Sequence, residues 1–283
     1  MTSSSFSAIP ADRYSVEQLT DMYNESRVDY IVPMPMNARR LSEYIQHYDV
    51  DLSGSVVAVN AEQQVAGLGM LGVRGERAWI TRLGVIPTRR GRGIGQFLME
   101  HLLQNAVNRA CTLAQLEVIA GNAPAQNLFQ KLGFWERRRL LVIRRAPGTI
   151  TPPDYEYALD VIAPSLIPRL LDQRDDEPSW LDETISLVNA GSLQGLRVTL
   201  EDGESGWIVS RLSAFQLSHF IMKSDTGTLS LECAYALLTA VHQRNPRHDT
   251  KIENIPETCP WLEAYNAAGY TVEFERVEMV KAL

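Results

Sequence analysis

A glycine- and arginine-rich segment between a β-like and a helix-like stretch constrains the fold of this chain most strongly. Residues 77–86 are rich in β-branched and apolar side chains, and Pro87 ends them. The segment 90–95 reads Arg-Gly-Arg-Gly-Ile-Gly and leads into a pattern with apolar residues on one helical face. Glycines let backbone amides approach an anion, and a helix N-terminus and arginines add positive charge. The sequence therefore predicts a strand–loop–helix unit that holds phosphate.

Two well-known phosphate loops do not fit this segment. A Walker loop requires Gly-Lys followed by Ser or Thr, which is missing here. A dinucleotide-binding loop requires a third glycine where this chain has Gln96. The remaining pattern is Arg-x-x-Gly-x-Gly, which begins at Arg90.

The rest of the first half predicts a mixed α+β domain. Three β-like stretches separated by turn residues favour an antiparallel meander, two helices precede it, and a further strand, short helix and strand follow it. Asn122 is a suitable N-cap for the short helix, and Gly133 is a suitable residue to end it. The predicted helices are 16–27, 39–48 and one that begins at about 94, and the predicted strands are 53–60, 64–73, 77–86, 114–120 and 134–145.

The second half repeats this outline. Phe129, Gly133 and Phe134 in the first half have the same spacing as Tyr265, Gly269 and Tyr270 in the second. A chain of 283 residues is also longer than one average domain requires. We therefore expect a diverged internal repeat, with a first domain at 1–147, a proline-rich linker at 148–168 and a second domain at 169–283.

Charge separates the two halves. Residues 1–150 contain 17 Lys and Arg against 13 Asp and Glu, a net charge of +4, whereas residues 151–283 contain 10 against 21, a net charge of −11. This balance argues against a nucleic-acid or anionic-membrane surface along the whole chain. The sequence has no apolar run of the ~18–20 residues that a membrane span requires and no secretion signal at its start, so we expect a cytoplasmic protein. Its three cysteines and five histidines have no metal-binding spacing, so we expect no metal, and the oligomeric state stays open.

Two motifs resemble the GNAT superfamily of acetyl-CoA-dependent N-acetyltransferases. The first is the Arg-x-x-Gly-x-Gly loop, which follows Val85-Ile86-Pro87. The second is residues 122–134, Asn-Ala-Pro-Ala-Gln-Asn-Leu-Phe-Gln-Lys-Leu-Gly-Phe, which are similar to the ending of that family's domain. The resemblance covers about residues 6–146. It implies a mixed, mostly antiparallel sheet flanked by helices, with splayed fourth and fifth strands, and we expect the same fold in the second half.

The resemblance also implies a binding site for acetyl-CoA. The pyrophosphate is expected on the amides of the loop, and the pantetheine arm is expected along the backbone of the fourth strand, where the Val85 amide is the implied oxyanion donor. Asn122 is expected near the pantetheine, although a plain N-cap role explains it equally well. The implied cofactor-binding residues are Leu83, Gly84, Val85, Arg90, Gly91, Arg92, Gly93, Ile94, Gly95, Gln96, Asn122 and Phe129.

Glu117 is the candidate catalytic residue. Residues 116–122 resemble a strand of ribosomal-protein N-terminal acetyltransferases, in which a Glu acts as general base twelve residues before a Tyr that acts as acid. Here Phe129 occupies the tyrosine's position and has no proton to donate. Tyr30, Tyr48 or water could supply the proton instead. Glu117 could otherwise be a solvent-facing strand residue, and Phe129 a core or cofactor-packing residue.

The predicted function is transfer of an acetyl group from acetyl-CoA to a primary amine, on a small molecule or a peptide N-terminus. The alternative is an acyl-CoA-binding sensor or interaction module without catalysis, which the absence of an acid at Phe129 leaves open. In the second half, the position of the phosphate loop reads Lys-Ser-Asp-Thr-Gly-Thr over residues 223–228, with an Asp and no arginine. We therefore expect the second domain to bind no coenzyme A.

Overall fold

The computed structural model describes residues 6–225 and 227–283, and its packing divides the chain into two units. The first unit extends to Arg138 and also includes the C-terminal residues 277–283, and the second unit comprises residues 139–276. Each half of the sequence therefore supplies a strand segment to the unit formed mainly by the other half. These boundaries differ from the continuous division at 147 and 169 that composition predicts, because a composition shift carries no information about where a strand pairs.

The first unit contains a mixed sheet and four helices. Its elements in chain order are β1 (Ser7–Pro10), α1 (Val16–Glu25), α2 (Ala38–His47), β2 (Val56–Val59), β3 (Val65–Arg74), β4 (Arg77–Val85), α3 (Ile94–Asn108), β5 (Leu113–Ile119), α4 (Ala123–Lys131) and the start of β6 (Trp135–Arg145). The strands β1 to β4 form an antiparallel meander, and β5 pairs with β4 in parallel. This is the predicted arrangement, with the short strand β1 in addition.

The first unit's core lies under α3 and α4. The buried side chains of α3, among them Leu98, Met99 and Leu102, pack against apolar residues of the sheet. Val277 and Met279 from the C-terminal segment belong to the same core. Beside them, the Glu278 carboxylate is fully buried and accepts a hydrogen bond of 2.7 Å from Arg138 Nε.

The second unit has the same plan. It includes residues 139–145 of β6, and its further elements are β7 (Tyr157–Ile162), α5 (Ile167–Leu171), α6 (Thr184–Ala190), β8 (Leu193–Leu200), β9 (Ser205–Leu212), β10 (Gln216–Ser224), α7 (Leu231–Arg244), β11 (Asp249–Pro256), α8 (Leu262–Ala267) and the start of β12 (Thr271–Ala282). The strands β7 to β10 are antiparallel, and β10 pairs with β11 in parallel. Strand β7 lies inside the segment 148–168 that composition predicts as a linker, because its flanking prolines hide a short edge strand.

The internal repeat predicted from the aromatic and glycine spacing is present in the backbone. Gly133 has φ +87° and Gly269 has φ +86°, and each ends a short helix before an aromatic residue. Only glycine adopts this conformation at little cost, which explains the shared residue. Within the described residues, no helix is both long and apolar enough to cross a membrane.

Candidate functional site

The strands β4 and β5 diverge at the centre of the first unit. They pair only from Arg77 to Trp79 on β4, opposite residues 113–115 of β5. Further along, β4 has a bulge, in which Arg82 and Leu83 together lie opposite Gly69 of β3. Arg82 adopts a left-handed backbone conformation with φ +52°, which turns the strand at this point. The bulge and the short parallel pairing produce the predicted splay.

A cavity of about 480 Å³ lies beside the end of β4 and the start of α3. Nine of the residues predicted to bind the cofactor line this cavity. They are Leu83, Gly84, Val85, Arg90, Gly91, Gly93, Ile94, Gly95 and Asn122. The remaining lining comes mainly from the segment that follows α1 and from the start of α4: Ser26, Arg27, Asp29, Tyr30, Ile31, Gly121, Pro124, Ala125 and Leu128.

The glycine loop forms an open concavity at the N-terminus of α3. Gly91 and Gly93 have φ values of +76° and +79°, and a Cβ at either position would meet no described atom within 4 Å. The first hydrogen bond of the helix runs from Phe97 N to Gly93 O, so the preceding amides have no intrahelical acceptor. The residues present therefore suit an anionic group such as a pyrophosphate.

Arg90 is held by an ion pair at the edge of this loop. Its two terminal nitrogens lie 2.7 and 2.8 Å from the two carboxylate oxygens of Asp29, a bidentate arrangement. The same guanidinium donates to the carbonyls of Val85 and Ser26, each at 3.1 Å. The hydrogen bond from Arg90 lowers the pKa of Asp29 below its usual value. Arg90 therefore links the glycine loop to the segment that follows α1.

Arg92, Gln96 and Phe129 are not among the described residues that line this cavity. Arg92 is exposed at the tip of the loop, and Gln96 bonds to Glu100 on the outer face of α3 at 2.8 Å. Phe129 is buried in the core, with its ring centroid 6.1 Å from that of Phe134. The structure thus places Phe129 where a core residue is expected.

Asn122 caps α4 and also lines the cavity. Its Oδ1 accepts a hydrogen bond from Ala125 N at 3.4 Å, which caps α4, and the residue also lines the cavity. The cap fixes the direction of this side chain at the start of α4.

Glu117 lies on β5, two residues beyond the last position paired with β4, and is partly buried. It is not among the described residues that line the cavity. Its Oε2 accepts a hydrogen bond of 2.7 Å from Trp79 Nε1, at the last paired position of β4. Trp79 is 1% exposed and packs on Tyr44 and Tyr48, with ring centroids 5.8 and 6.0 Å away. The carboxylate is therefore held by a rigid aromatic cluster and is not a freely solvated strand residue.

Two tyrosines were candidates for the missing acid. Tyr48 is 9% exposed and belongs to the aromatic cluster, whereas Tyr30 lines the cavity. The nearby Tyr44 hydroxyl lies 2.6 Å from Thr81 Oγ1, and burial raises its pKa to about 12.

Two arginines of the site were not found from the sequence. Arg82 Nη1 donates to the Tyr23 hydroxyl at 3.0 Å, and its guanidinium lies 4.0 Å from the Tyr44 ring centroid. Arg27 Nη2 donates to the Leu83 carbonyl at 3.2 Å. No sequence signal identifies these contacts, because they join residues from distant parts of the chain.

The second unit has an equivalent divergence of strands, and carboxylates lie near the helix that follows it. The strands β10 and β11 pair over two positions, and His219 has φ +53° at a bulge in β10. At the start of α7, Glu204 Oε1 accepts a hydrogen bond of 2.7 Å from Ser230 N. Asp225 precedes Ser230 by five residues, and both of its carboxylate oxygens accept hydrogen bonds from Arg197 at 2.9 Å. Thr226, in the middle of this loop, lies outside the described residues.

Burial, with added repulsion from Glu204 and Asp225, raises the pKa of Cys233 on the first turn of α7 to about 12. The Glu204 carboxylate therefore lies at this helix N-terminus, and the absence of coenzyme A binding here stays a prediction. Within the described part of the chain, no group of three or more His, Cys, Asp or Glu side chains is arranged to hold a metal ion.

Comparison with known proteins identifies related sequences for the first unit. The family model of the acetyltransferase (GNAT) family matches residues 17–134. A streptothricin acetyltransferase from Streptomyces lavendulae is 36% identical over 84 residues, which are 29% of this chain and 44% of that protein. A ribosomal-protein alanine N-acetyltransferase from Salmonella typhimurium is 33% identical over 78 residues, which are 28% of this chain and 53% of that protein. The chain thus spans about half the length of these relatives.

Solved structures extend the similarity of fold to both units. A GCN5-related N-acetyltransferase from Sphaerobacter thermophilus matches 98% of this chain and 95% of its own, with a TM-score of 0.69 at 18% identity. A tandem GNAT protein from the clavulanic acid biosynthesis pathway matches 98% of both chains, with a TM-score of 0.65 at 15% identity. These likenesses confirm the predicted pair of mixed, mostly antiparallel GNAT-like folds. Residues 17–134 are thus similar in sequence to the acetyltransferase (GNAT) family.

Proposed function

We propose that the first unit transfers an acetyl group from acetyl-CoA to a primary amine. This proposal rests on one observation: the glycine loop, the bulged end of β4 and the N-cap of α4 all line the same cavity. These are the three places where the sequence resemblance expects the cofactor to bind. Acetyl-CoA supplies the acetyl group as an activated thioester.

The proposed cofactor site uses backbone groups more than side chains. The amides at the start of α3 and the loop glycines hold the pyrophosphate, and the strand edge from Leu83 to Val85 pairs with the pantetheine arm. The Val85 amide donates to the oxyanion that develops on the acetyl carbonyl. Asn122 contributes its side chain at the mouth of the splay.

Glu117 is the proposed general base. A base must remove a proton from the ammonium form of the acceptor before the nitrogen can attack the carbonyl. Glu117 follows the part of β5 that pairs with β4, and the hydrogen bond from Trp79 at 2.7 Å fixes the direction of its carboxylate. Because Tyr30 lines the cavity and Tyr48 is buried against Trp79, we assign the protonation of the leaving thiolate to Tyr30.

The second unit is proposed to be a degenerate copy without coenzyme A binding. The carboxylate of Glu204 already accepts a hydrogen bond from the backbone amide of Ser230 at the N-terminus of α7. We propose that the protein acts on no nucleic acid and at no membrane, and that it functions in the cytoplasm.

Calorimetric titration with coenzyme A tests the cofactor site. One coenzyme A is expected to bind per chain, and Gly93→Asp is expected to abolish binding because it places a carboxylate at the phosphate position. Gly75→Asp, in the β3–β4 turn with φ +55°, has the same charge and backbone strain away from the site and is the control. No binding to the intact protein would refute the proposal.

Release of free thiol from acetyl-CoA in the presence of an amine panel tests catalysis. Steady release that depends on an amine is expected, and Tyr30→Phe is expected to reduce it without weakening cofactor binding. Binding of coenzyme A with no release for any amine would instead favour the non-catalytic acyl-CoA-binding role.

A further inference from the structure

The charged lining of the cavity leaves one arginine without a compensating carboxylate. Three charged side chains line it: Arg27, Asp29 and Arg90. Asp29 pairs with Arg90 through both of its oxygens, so these two charges offset each other. Among the described residues, no carboxylate lies within ion-pair distance of Arg27, and the cavity therefore has an excess positive charge at this position.

Arg27 is held in a fixed orientation by neutral groups. It follows α1, and its guanidinium lies 4.2 Å from the ring centroid of Tyr30 and 5.0 Å from that of Tyr23. Its Nη2 donates to the Leu83 carbonyl at 3.2 Å. Its Nε is buried and has no hydrogen-bond partner in the described part of the chain. A buried donor without a partner is unfavourable, so the protein groups around Arg27 do not fully satisfy its guanidinium. Because Arg27 also lines the cavity, its guanidinium is available to a bound ligand.

The position of Arg27 favours the acceptor over the cofactor phosphate. The proposed phosphate site lies at residues 90–95, whereas Arg27 contacts β4 at Leu83, beside the bulge at Arg82. The proposed acid, Tyr30, lies directly under the same guanidinium. Arg27 is therefore next to the groups that are proposed to act during acetyl transfer.

A planar guanidinium recognises carboxylate and phosphate oxygens through paired hydrogen bonds. We infer that Arg27 binds an oxyanion of the acceptor, so that the acceptor is an amine that also carries a carboxylate or a phosphate. This inference rests on the proposed function and names the class of its second substrate.

Matched acceptors test the inference. The acceptors 4-aminobutyrate and 6-aminohexanoate are compared with their carboxamides, and phosphoethanolamine is compared with ethanolamine. Wild-type protein is expected to show a KM at least about tenfold lower for the oxyanion member of a pair. Arg27→Gln is expected to remove that preference, and Arg27→Lys to restore part of it, because lysine keeps the charge without the planar fork.

A charge-matched control separates this effect from general electrostatics. Arg40→Gln removes the same charge from an exposed position on α2 and is expected to leave the preference unchanged. A purely structural role of Arg27 through Tyr30 would lower the turnover of both members of a pair equally. Equal KM values for the two members in wild-type protein would overturn the inference, and so would a loss of coenzyme A affinity in Arg27→Gln.

Binding measurements distinguish failure of the inference from failure of the proposed function. If wild-type protein acetylates none of these amines, the thermal stability of its coenzyme A complex is measured with the same compounds. Stabilisation by the oxyanion members alone, lost in Arg27→Gln, would support the Arg27 site without supporting acetyl transfer. Equal stabilisation of both proteins would overturn it.

Discussion

At the scale of single residues, the proposed chemistry depends on how Glu117 is supported. Its Oε2 is bonded to the indole of Trp79, which is itself almost completely buried between aromatic rings. A carboxylate that is fixed in this way needs little reorganisation before it accepts a proton, which is the feature that makes a general base effective.

Replacement of Glu117 tests the base. Glu117→Gln keeps the size of the side chain and cannot accept the proton, so kcat is expected to fall by roughly 10²–10⁴-fold. Coenzyme A affinity is expected to stay at the wild-type value, as titration would show. Full activity of Glu117→Gln would remove Glu117 from the mechanism.

Trp79→Phe tests the support of the base. The variant keeps an aromatic ring in the core and loses the indole N–H, so kcat is expected to fall while the KM for acetyl-CoA changes little. Thermal unfolding checks that the fold is retained. An unchanged kcat in a folded variant would show that the hydrogen bond has no part in positioning Glu117.

Asp29 is expected to compete with the cofactor. Its carboxylate binds Arg90 at the edge of the phosphate loop and adds negative charge to the same cavity. Asp29→Asn is therefore expected to strengthen coenzyme A binding by roughly three- to tenfold at low salt, and less at high salt. Glu25→Gln, which is exposed at the end of α1, is the charge-matched control. Weaker binding by Asp29→Asn would show instead that the ion pair organises the loop.

At the scale of elements, the left-handed glycine before α3 has a structural role and is proposed to have a binding role as well. Gly93 is the N-cap of α3 and makes no side-chain cap, so the helix N-terminus stays open toward the cavity. Gly93→Ala is expected to cost about 1–2 kcal/mol of stability, because φ is +79°. Its Cβ would also enter the phosphate concavity.

Gly93→Ala is therefore expected to weaken coenzyme A binding by at least about tenfold. Gly75→Ala has a similar backbone conformation, with φ +55° and no described atom within 4 Å of its Cβ, and is expected to cost similar stability with no loss of binding. Equal coenzyme A affinities for the two variants would contradict a specific role of Gly93.

A buried histidine on helix α7 is expected to make the second unit less stable in mild acid. His242 is fully buried on α7, and burial, with a smaller contribution from Arg145, lowers its pKa to about 3. The imidazole thus stays neutral in the folded state, while the unfolded chain takes up a proton below about pH 6.5. The contribution to stability is complete above that pH, and it is lost as pH falls toward 3.

The free energy of unfolding is therefore expected to fall with decreasing pH, with a slope of about 0.7 kcal/mol per pH unit at pH 6.5 that approaches about 1.4 kcal/mol per pH unit near pH 5.5. His242→Gln cannot titrate and is expected to show a flatter dependence between pH 6.5 and 5, above the range in which carboxylates titrate. Chemical denaturation at several pH values measures both proteins. If the free energy of unfolding had the same pH dependence in both proteins, His242 would not be the group responsible.

At the scale of the whole molecule, the C-terminal segment is part of the first unit. Val277, Met279 and Val280 are at most 2% exposed, and Leu283 N bonds to Thr112 O at 2.9 Å. Burial of each such apolar side chain contributes about 1.5–3 kcal/mol to the free energy of unfolding. The loss of three such side chains approaches the total stability of a typical domain, about 5–15 kcal/mol.

A chain that ends at Arg276 is therefore expected to lose coenzyme A binding through unfolding of the first unit. Circular dichroism and titration measure the two effects. A chain shortened only by Ala282 and Leu283 keeps the three buried residues and is expected to retain binding. Normal binding by the longer truncation would show that the first unit is stable without its last strand.

Local patterns predicted much of the fold and part of the site. The glycine loop, the N-cap at Asn122 and the left-handed Gly133 and Gly269 were all predicted from short stretches of sequence, and the backbone agrees at each. The neighbouring positions Arg92, Gln96 and Phe129 do not line the cavity, because a motif specifies a stretch of chain and not the direction of each side chain.

The sequence by itself determined the features that neighbouring residues control: the order of strands and helices, the glycine loop, the caps and the internal repeat. Only the tertiary structure decided which polar and charged groups contact each other and where each strand pairs. Arg27 meets Leu83 across 56 positions, Asp29 meets Arg90 across 61, and the last seven residues join the first unit. Backbone preferences act over a few residues, whereas charge pairing and strand pairing depend on which distant segments the packed core brings together.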